Sequence, residues 1–430
     1  MRSVVVVGAG LSGLVAAYTI SKNKKYKVTI VEKDDFVGGR ASTKVEKGFV
    51  IDSSAQLIFG NFTELLKLCG ELNLQKSLIR IGYENIVFYK NKKNYPLNLH
   101  GLLKYTNWKE KFELIKLIRF LKKNESSLNY TYDLNNNNFS NMNFSVWFKK
   151  NYSESLFDRF AQPIVSSNGL AHPEKMSASY GLALLNSSLR KKIYSFDGGI
   201  GAISKALKQA IQENGGKIIT GNSVKKIRIK SGTVKGITVN KKFISADAII
   251  SSIPTTEFKK IYNYDKSFDD LKKIKYSPCI HLWIAFKEKV LENNFAYLLP
   301  RIEWKDHLAI IDSSIKSKSH VPKEKSMLEL FIFEEHAEKL LNNTDKQIKD
   351  KLMNDLSTIL GLELNDKINW YKLKRMSNGM PIHSPNHIKK IKCLYEHNIK
   401  GLYFCGDYLG GPSLETAVFT GLKSAKQVML

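Results

Sequence analysis

The stretch Val4-Val5-Val6-Val7-Gly8-Ala9-Gly10-Leu11-Ser12-Gly13 decides how this chain is read. Four consecutive β-branched residues predict a strand buried on both faces of a parallel sheet. Residues 14–20 follow with helical spacing, and residues 27–31 predict a second strand that Glu32 closes. The unit is β-α-β. Between strand and helix stands G-x-G-x-x-G, and each glycine has a task there. Gly8 allows the tight turn, Gly10 lets backbone approach a pyrophosphate, and Gly13 permits close helix–strand packing. The helix N-terminus stabilises such an anion through its free N–H groups and its dipole. Glu32, nineteen residues after Gly13, is placed to accept hydrogen bonds from ribose hydroxyls. A glycine-rich turn alone says little; strand, helix and acid in register predict a dinucleotide site.

Outward from this unit, residues 104–123, 145–160, 175–189, 202–214, 346–360 and 415–430 predict helices. Residues 217–220, 224–230, 234–239, 248–251, 274–286 and 401–405 predict strands, and 124–143 is a polar, Asn-rich break. Nucleotide-type elements at both ends and in the middle predict interleaved domains. The first apolar stretch is interrupted by glycines and has no cleavage site behind it, so it is expected to be a buried strand and not a signal peptide. No run of eighteen apolar residues occurs, and no membrane span is expected.

Composition narrows the classes further. With 430 residues, 43% hydrophobic and 11% aromatic, collagen-like, coiled-coil and wholly disordered chains are excluded. Four scattered cysteines (Cys69, Cys279, Cys393, Cys405) make no C-x-x-C pair, which argues against a disulfide framework or a zinc site and for a reducing, cytoplasmic compartment. The net charge is +27, from 67 Lys and Arg against 40 Asp and Glu. Such a balance suits acidic surfaces. Yet the excess is mostly Lys in dispersed pairs beside abundant Asn, a pattern that a general Lys/Asn bias produces as readily as a partner does. No nucleic acid is expected, since no recognised nucleic-acid-binding motif accompanies the charge.

Gly38-Gly39-Arg40, Thr43 and Gly48-Phe49-Val50-Ile51-Asp52 follow the first unit. With them the chain resembles the flavoprotein family of amine oxidases, protoporphyrinogen oxidases and carotenoid (phytoene-type) desaturases. The resemblance runs on through Phe160-Ala161-Gln162-Pro163, residues 173–178, Gly198-Gly199-Ile200-Gly201, Val224 and residues 246–254. It ends on Gly401 to Tyr408 and Glu415-Thr416-Ala417. It implies an α/β fold: a discontinuous Rossmann-like FAD-binding domain (1–75, 190–260 and 395–430) and a mixed α+β substrate-binding domain (76–189 and 261–394). It implies FAD, expected to be non-covalent although Cys405 lies close to a flavin motif. The residues implied to hold it are Gly8, Gly10, Leu11, Ser12, Gly13, Glu32 and Lys33; Gly38, Gly39 and Arg40; Val224; and Gly406, Asp407, Thr416 and Ala417. Arg40 would reach the phosphates with its forked donor, and Val224 would lie by the adenine. Asp407 would hold the ribityl and pyrophosphate region. The N–H groups near Thr416 and Ala417 would face the isoalloxazine, favouring its anionic reduced form.

Hydride transfer to a flavin ring requires a C–H bond positioned in a dry cavity and no obligatory base. No catalytic residue is fixed by the sequence; His281 and His383 are the candidates. Trp283, Phe286, Trp370 and Met380 could wall an apolar pocket, although core packing is the default for each. Two departures from the amine oxidases stand out: Ser413-Leu414 replaces the aromatic residue before the final turn, and residues 279–286 carry no lysine. A cationic amine would lack an aromatic cage. The expected activity is therefore dehydrogenation of a large apolar molecule, porphyrinogen-like or polyene-like, with an electron acceptor such as oxygen or a quinone. Amine oxidation is an alternative. So is a binding protein without redox activity, like the Rab GDP-dissociation inhibitors that resemble this fold. Finally, residues 104–123 set Phe112, Leu114, Ile115, Leu117, Ile118 and Leu121 among basic residues. Such a helix either packs in the core with its long basic side chains reaching solvent or contacts an anionic membrane peripherally.

Overall fold

Five parallel strands form the central sheet, in the order Lys217–Ile219, Tyr26–Val31, Arg2–Val7, Ala248–Ser251, Leu402–Phe404. These strands come from three separate parts of the sequence, so the chain leaves the sheet and returns to it twice. In this computed structural model, residues 1–131, 138–262, 266–291, 293–305 and 308–430 are described. The expected break at 124–143 therefore lies partly outside the described residues.

The valine run is buried as its composition demands, because the two faces of the strand enter different cores. Val4 and Val6 pack with Leu14, Val15 and Ile20 of the helix Leu11–Ser21. Val5 and Val7 pack with Ile227, Val234 and Ile237. Those residues belong to an antiparallel sheet of Val224–Lys230, Thr233–Val239 and Lys242–Ser245, laid on the opposite side. Helices Gly201–Glu213 and Leu414–Met429 flank Leu11–Ser21.

A second, seven-stranded mixed sheet runs Ile368–Pro381, Tyr276–Phe286, Ser326–Phe333, Leu308–Asp312, Ala296–Leu298, Ile86–Lys90, Lys93–Pro96. Among the described residues of this sheet, only Ala296–Leu298 and Ile86–Lys90 pair in parallel. One face is covered by the helix Asp345–Leu360, whose Ile348, Leu352 and Leu356 pack on Ile280, Leu282 and Ile284. The other face carries Cys279, Ala309 and Phe331, and its Ala309 and Phe331 line a cavity. Most of this sheet has no clean period-2 pattern. The fourteen-residue strand Ile368–Pro381 mixes Lys, Arg and Asn with apolar residues and escapes a sequence reading.

Helix boundaries shift where local chemistry intervenes. The predicted helix 104–123 is two helices, Leu99–Tyr105 and Trp108–Lys123. Asn107 starts the second through a capping box, its side chain accepting from Glu110 N–H while Glu110 accepts from Asn107 N–H, each at 2.9 Å. The predicted helix 145–160 likewise ends at Asn151 and restarts when Ser153 caps the next turn. That turn widens into a π-helical segment, Phe157–Ala161.

Candidate cofactor and substrate site

Three glycine-bearing loops meet at the carboxyl ends of the central strands, where open parallel sheets bind ligands. The first leaves Arg2–Val7 through Gly8, whose φ of +99° is closed to most other residues. Gly13 packs so tightly on this turn that a Cβ would stand 2.3 Å from Gly8 O. Gly10, by contrast, has nothing within 4 Å of where its Cβ would be, so its backbone is open to a ligand. The first intrahelical bond, from Leu14 N–H to Gly10 C=O at 2.9 Å, leaves the N–H groups of Leu11, Ser12 and Gly13 in the orphan first turn. The second loop docks on the first, with Gly38 N–H donating to Ala9 C=O at 2.7 Å. The third brings Gly406 and Asp407 from the last strand.

Arg40 and Asp407 face each other across this junction. The Asp407 carboxylate takes both guanidinium nitrogens, at 2.9 and 2.8 Å, while a third Arg40 contact reaches Gly379 C=O at 3.2 Å. Burial works against the Arg40 charge, and the Asp407 carboxylate more than offsets it. Glu32, expected to accept from ribose hydroxyls, has both carboxylate oxygens on backbone N–H groups here: Oε2 accepts from Ala9 N–H at 2.6 Å and Oε1 from Asp34 N–H at 2.9 Å. Asn222 N–H donates to Glu32 C=O at 2.9 Å and so brings the strand that starts at Val224 to the acid. Lys33 is exposed, 3.9 Å from Asp34.

A cavity of about 1340 Å³, including open solvent at its mouth, extends from these loops. Gly10, Leu11, Ser12, Gly38, Arg40 and Asp407 wall one end. Leu57, Phe59, Phe62, Leu170, Ile311 and Phe331 wall the other. A second void of about 550 Å³ continues past Leu57, Phe59 and Ile311 towards Ile164, Phe295 and Leu298. Among the described residues, Arg40 and Asp407 are the only formally charged side chains on the main cavity wall, and they neutralise each other. Phe59 meets Phe62 edge to face at 5.5 Å, and Phe62 meets Tyr130 likewise at 5.1 Å. These rings pack on one another and do not flank a slot.

The two catalytic candidates lie behind the wall, not on it. His281 is fully buried, with Nε2 2.9 Å from Glu329 Oε2 and the ring against Trp283 and Phe331. His383 is fully buried, with Nδ1 2.7 Å from Ser177 Oγ and its ring stacked on His387. Burial depresses both pKa values, so both stay neutral at neutral pH. Of the apolar candidates, Met380 reaches the cavity, whereas Trp283, Phe286 and Trp370 are core. At the last helix the Thr416 N–H donates to the Ser413 cap at 3.1 Å and the Ala417 N–H to Ser413 C=O at 3.1 Å. Helix geometry leaves Leu414 and Glu415 as the first-turn donors outside that cap. Cys405 is absent from the cavity wall, and burial pushes its thiol up to about 12.

Sequence reasoning missed the segment Ser54-Ala55-Gln56-Leu57, which lines the cavity. It rests on a buried ionic network. Lys316 Nζ sits 2.5 Å from both Asp52 Oδ2 and Gln56 Oε1, and Gln56 Nε2 donates to Glu329 Oε2 at 2.7 Å. Asp52 also accepts from Ile200 N–H at 2.8 Å. A buried Lys 264 residues from its partner Asp52 leaves no local signal; only the unusual burial of charge marks it.

Orphan helix N–H groups, a backbone approach kept open at Gly10 and a guanidinium on the wall fit the diphosphate of a dinucleotide. A long apolar chamber beside them fits a site where such a cofactor meets a second molecule. The fold and site define a flavin-dependent oxidoreductase. A family model described as flavin-containing amine oxidoreductase matches residues 11–429. The chain belongs to that family, and its cofactor is FAD. It is 22% identical to protoporphyrinogen oxidase 2, chloroplastic/mitochondrial, of Arabidopsis thaliana, over 100% of this chain and 94% of that one. It is 24% identical to 15-cis-phytoene desaturase, chloroplastic/chromoplastic, of Capsicum annuum, over 99% and 77%. The solved cyclohexylamine oxidase of Brevibacterium oxydans IH-35A superposes with a TM-score of 0.75 at 15% identity, covering 99% of this chain and 98% of that one. The shared fold thus accommodates both apolar and amine chemistry.

Proposed function

We propose that this enzyme dehydrogenates a large, apolar, uncharged molecule of polyene type, with oxygen or a quinone as electron acceptor. The observation that carries this reading is the cavity wall, whose only charges among the described residues are the mutually paired Arg40 and Asp407. A porphyrinogen bears propionate carboxylates, and an amine bears a cation; either would be desolvated here without a partner of its own. The edge-to-face rings likewise give a cation no cage. An elongated hydrocarbon matches the chamber and its continuation past Ile311.

Bound FAD supplies the hydride acceptor. The chain's own part is to hold the diphosphate with the helix start at Leu11 and with Arg40, and to exclude water with Leu57, Phe59, Phe62 and Phe331. It must also align a C–H bond by apolar contact alone. No histidine lies on the wall among the described residues, so the hydride would leave without a protein imidazole beside it, and the proton lost from the adjacent carbon would pass to water at the cavity mouth. The FAD would be held without a covalent link, through the residue set given above with Leu414 and Glu415 added. The chain would divide at about 75, 190, 260 and 395 into cofactor and substrate domains. No helix among the described residues is long and apolar enough to cross a membrane. Peripheral contact with an anionic membrane belongs to the same reading, because the substrate is sparingly soluble in water.

Anaerobic reduction of the bound flavin tests the reading. Neutral polyenes should bleach the flavin, esterified porphyrinogens less so, and free-acid porphyrinogens and amines not at all. Bleaching by amines or free acids alone would overturn it.

A further inference from the structure

The helix Trp108–Lys123 has two apolar faces, and only one of them meets the protein. Leu114, Leu117 and Leu121, with the capping Glu110, are buried. On the opposite side Trp108 is 73% exposed, Phe112 68% and Ile115 48%. At 100° per residue these three fall within a 60° arc, nearly opposite the buried set. Trp108 and Phe112 pack edge to face at 6.4 Å, each ring giving its remaining surface to water. The preceding helix Leu99–Tyr105 adds Leu99, 76% exposed, and Leu103, 49%. A core helix needs the first face and does not explain the second. Isolated exposed apolar residues are ordinary; this many on two consecutive helices mark an interaction surface.

The charge around the stripe identifies the partner. Lys104, Lys109, Arg119, Lys122, Lys123 and Lys150 have no ion pair among the described residues. On the helix wheel Lys122 and Lys116 flank the stripe, and Arg119 continues it towards the C-terminal end. A second copy of this chain docked face to face would bring like charges together around the apolar contact. A surface offering both apolar depth and negative charge is complementary to both features. We propose that the Leu99–Tyr105 and Trp108–Lys123 helices dock on the headgroup layer of an anionic bilayer, inserting Leu99, Trp108, Phe112 and Ile115 with the basic side chains on lipid phosphates. The docking gains its purpose from the proposed apolar substrate. Its geometry stands separately, because vesicle binding reads the face while flavin reduction reads the substrate.

The test is flotation of the FAD-loaded full chain with phosphatidylcholine vesicles containing phosphatidylglycerol, against phosphatidylcholine alone. Binding should favour the anionic vesicles and weaken at high salt. Trp108→Ser with Phe112→Ser should lower binding by about tenfold or more, and Arg119→Glu with Lys122→Glu should do the same on anionic vesicles only. These side chains are exposed, so flavin absorbance and the unfolding temperature should stay at wild-type values. Trp108 emission should shift to the blue on vesicle addition, and the Trp108→Ser protein should lose that shift. Absence of flotation at low salt overturns the proposal, as does flotation insensitive to the Trp108/Phe112 pair. A concentration-dependent dimer abolished by that pair would also overturn it, assigning the face to self-association.

Discussion

The two ends of the cavity are built by different means. The cofactor end comes from three short loops, each continuous in sequence, whose glycines and one arginine are needed for what the backbone must do there. The substrate end is assembled from single residues on separate elements: Phe59 and Phe62 beside Thr63–Glu71, Leu184 on Ala178–Arg190, Ile311 and Phe331 on neighbouring strands. Its apolar side chains resemble any core. Conformational need leaves a local signature, whereas cavity shape does not. The expected consequences of mutation differ accordingly.

The largest effect should arise where the two ends are tied together. Lys316 is buried between Asp52, on the cofactor-side hairpin, and Gln56, on the chamber wall. Lys316→Ala leaves the Asp52 carboxylate buried with one partner gone, at an expected cost of about 3–5 kcal/mol. Chemical denaturation should show the midpoint falling, and Lys316→Met with Asp52→Asn should recover much of it. An unchanged midpoint in Lys316→Ala would mean that the ends are not coupled through this network.

Acid should loosen the cofactor end next. Burial holds His387 at about 4, and holds His383 well below its ordinary value with help from its neighbour His387. His387 Nε2 lies 2.7 Å from the carbonyl of Tyr408, a cavity residue next to Asp407. The unfolded chain takes up protons on these rings near pH 6.5, before the folded one does. Their contribution is therefore fully present above pH 6.5 and is lost as pH falls towards 4, on the order of 3 kcal/mol for His387. Thermal unfolding between pH 7.5 and 4.5 should show this loss, together with earlier FAD release. His387→Gln should flatten the slope.

The smaller effects separate the two ends directly. Arg40→Ala removes a forked, charge-assisted donor contributing about 1.5–3 kcal/mol. FAD should dissociate on the order of 10 to 100 times more readily in a titration. Ile311→Val removes one methylene from the chamber, about 0.8 kcal/mol. It should lower kcat/KM for an apolar substrate roughly fourfold, with FAD affinity unchanged. Crossed results, with Ile311 governing FAD or Arg40 governing only the substrate, would dissolve the distinction.

The amino-acid sequence alone carries the parallel sheet, the nucleotide turn and the family, because β-branched runs, G-x-G-x-x-G, Gly-Gly-Arg and Gly-Asp are local demands of backbone and charge. It also indicated the basic amphipathic helix, whose apolar residues it could not divide. Folding turns Leu114, Leu117 and Leu121 inward and leaves Trp108, Phe112 and Ile115 in water, since the direction of the core is a property of what packs against a helix. It alone removed His281 and His383 from the cavity wall and joined Lys316 to Asp52, 264 residues away. A lone histidine or lysine has no period and no motif. Its role is set by the dielectric and the partners that folding places around it, and here those partners come from distant parts of the chain.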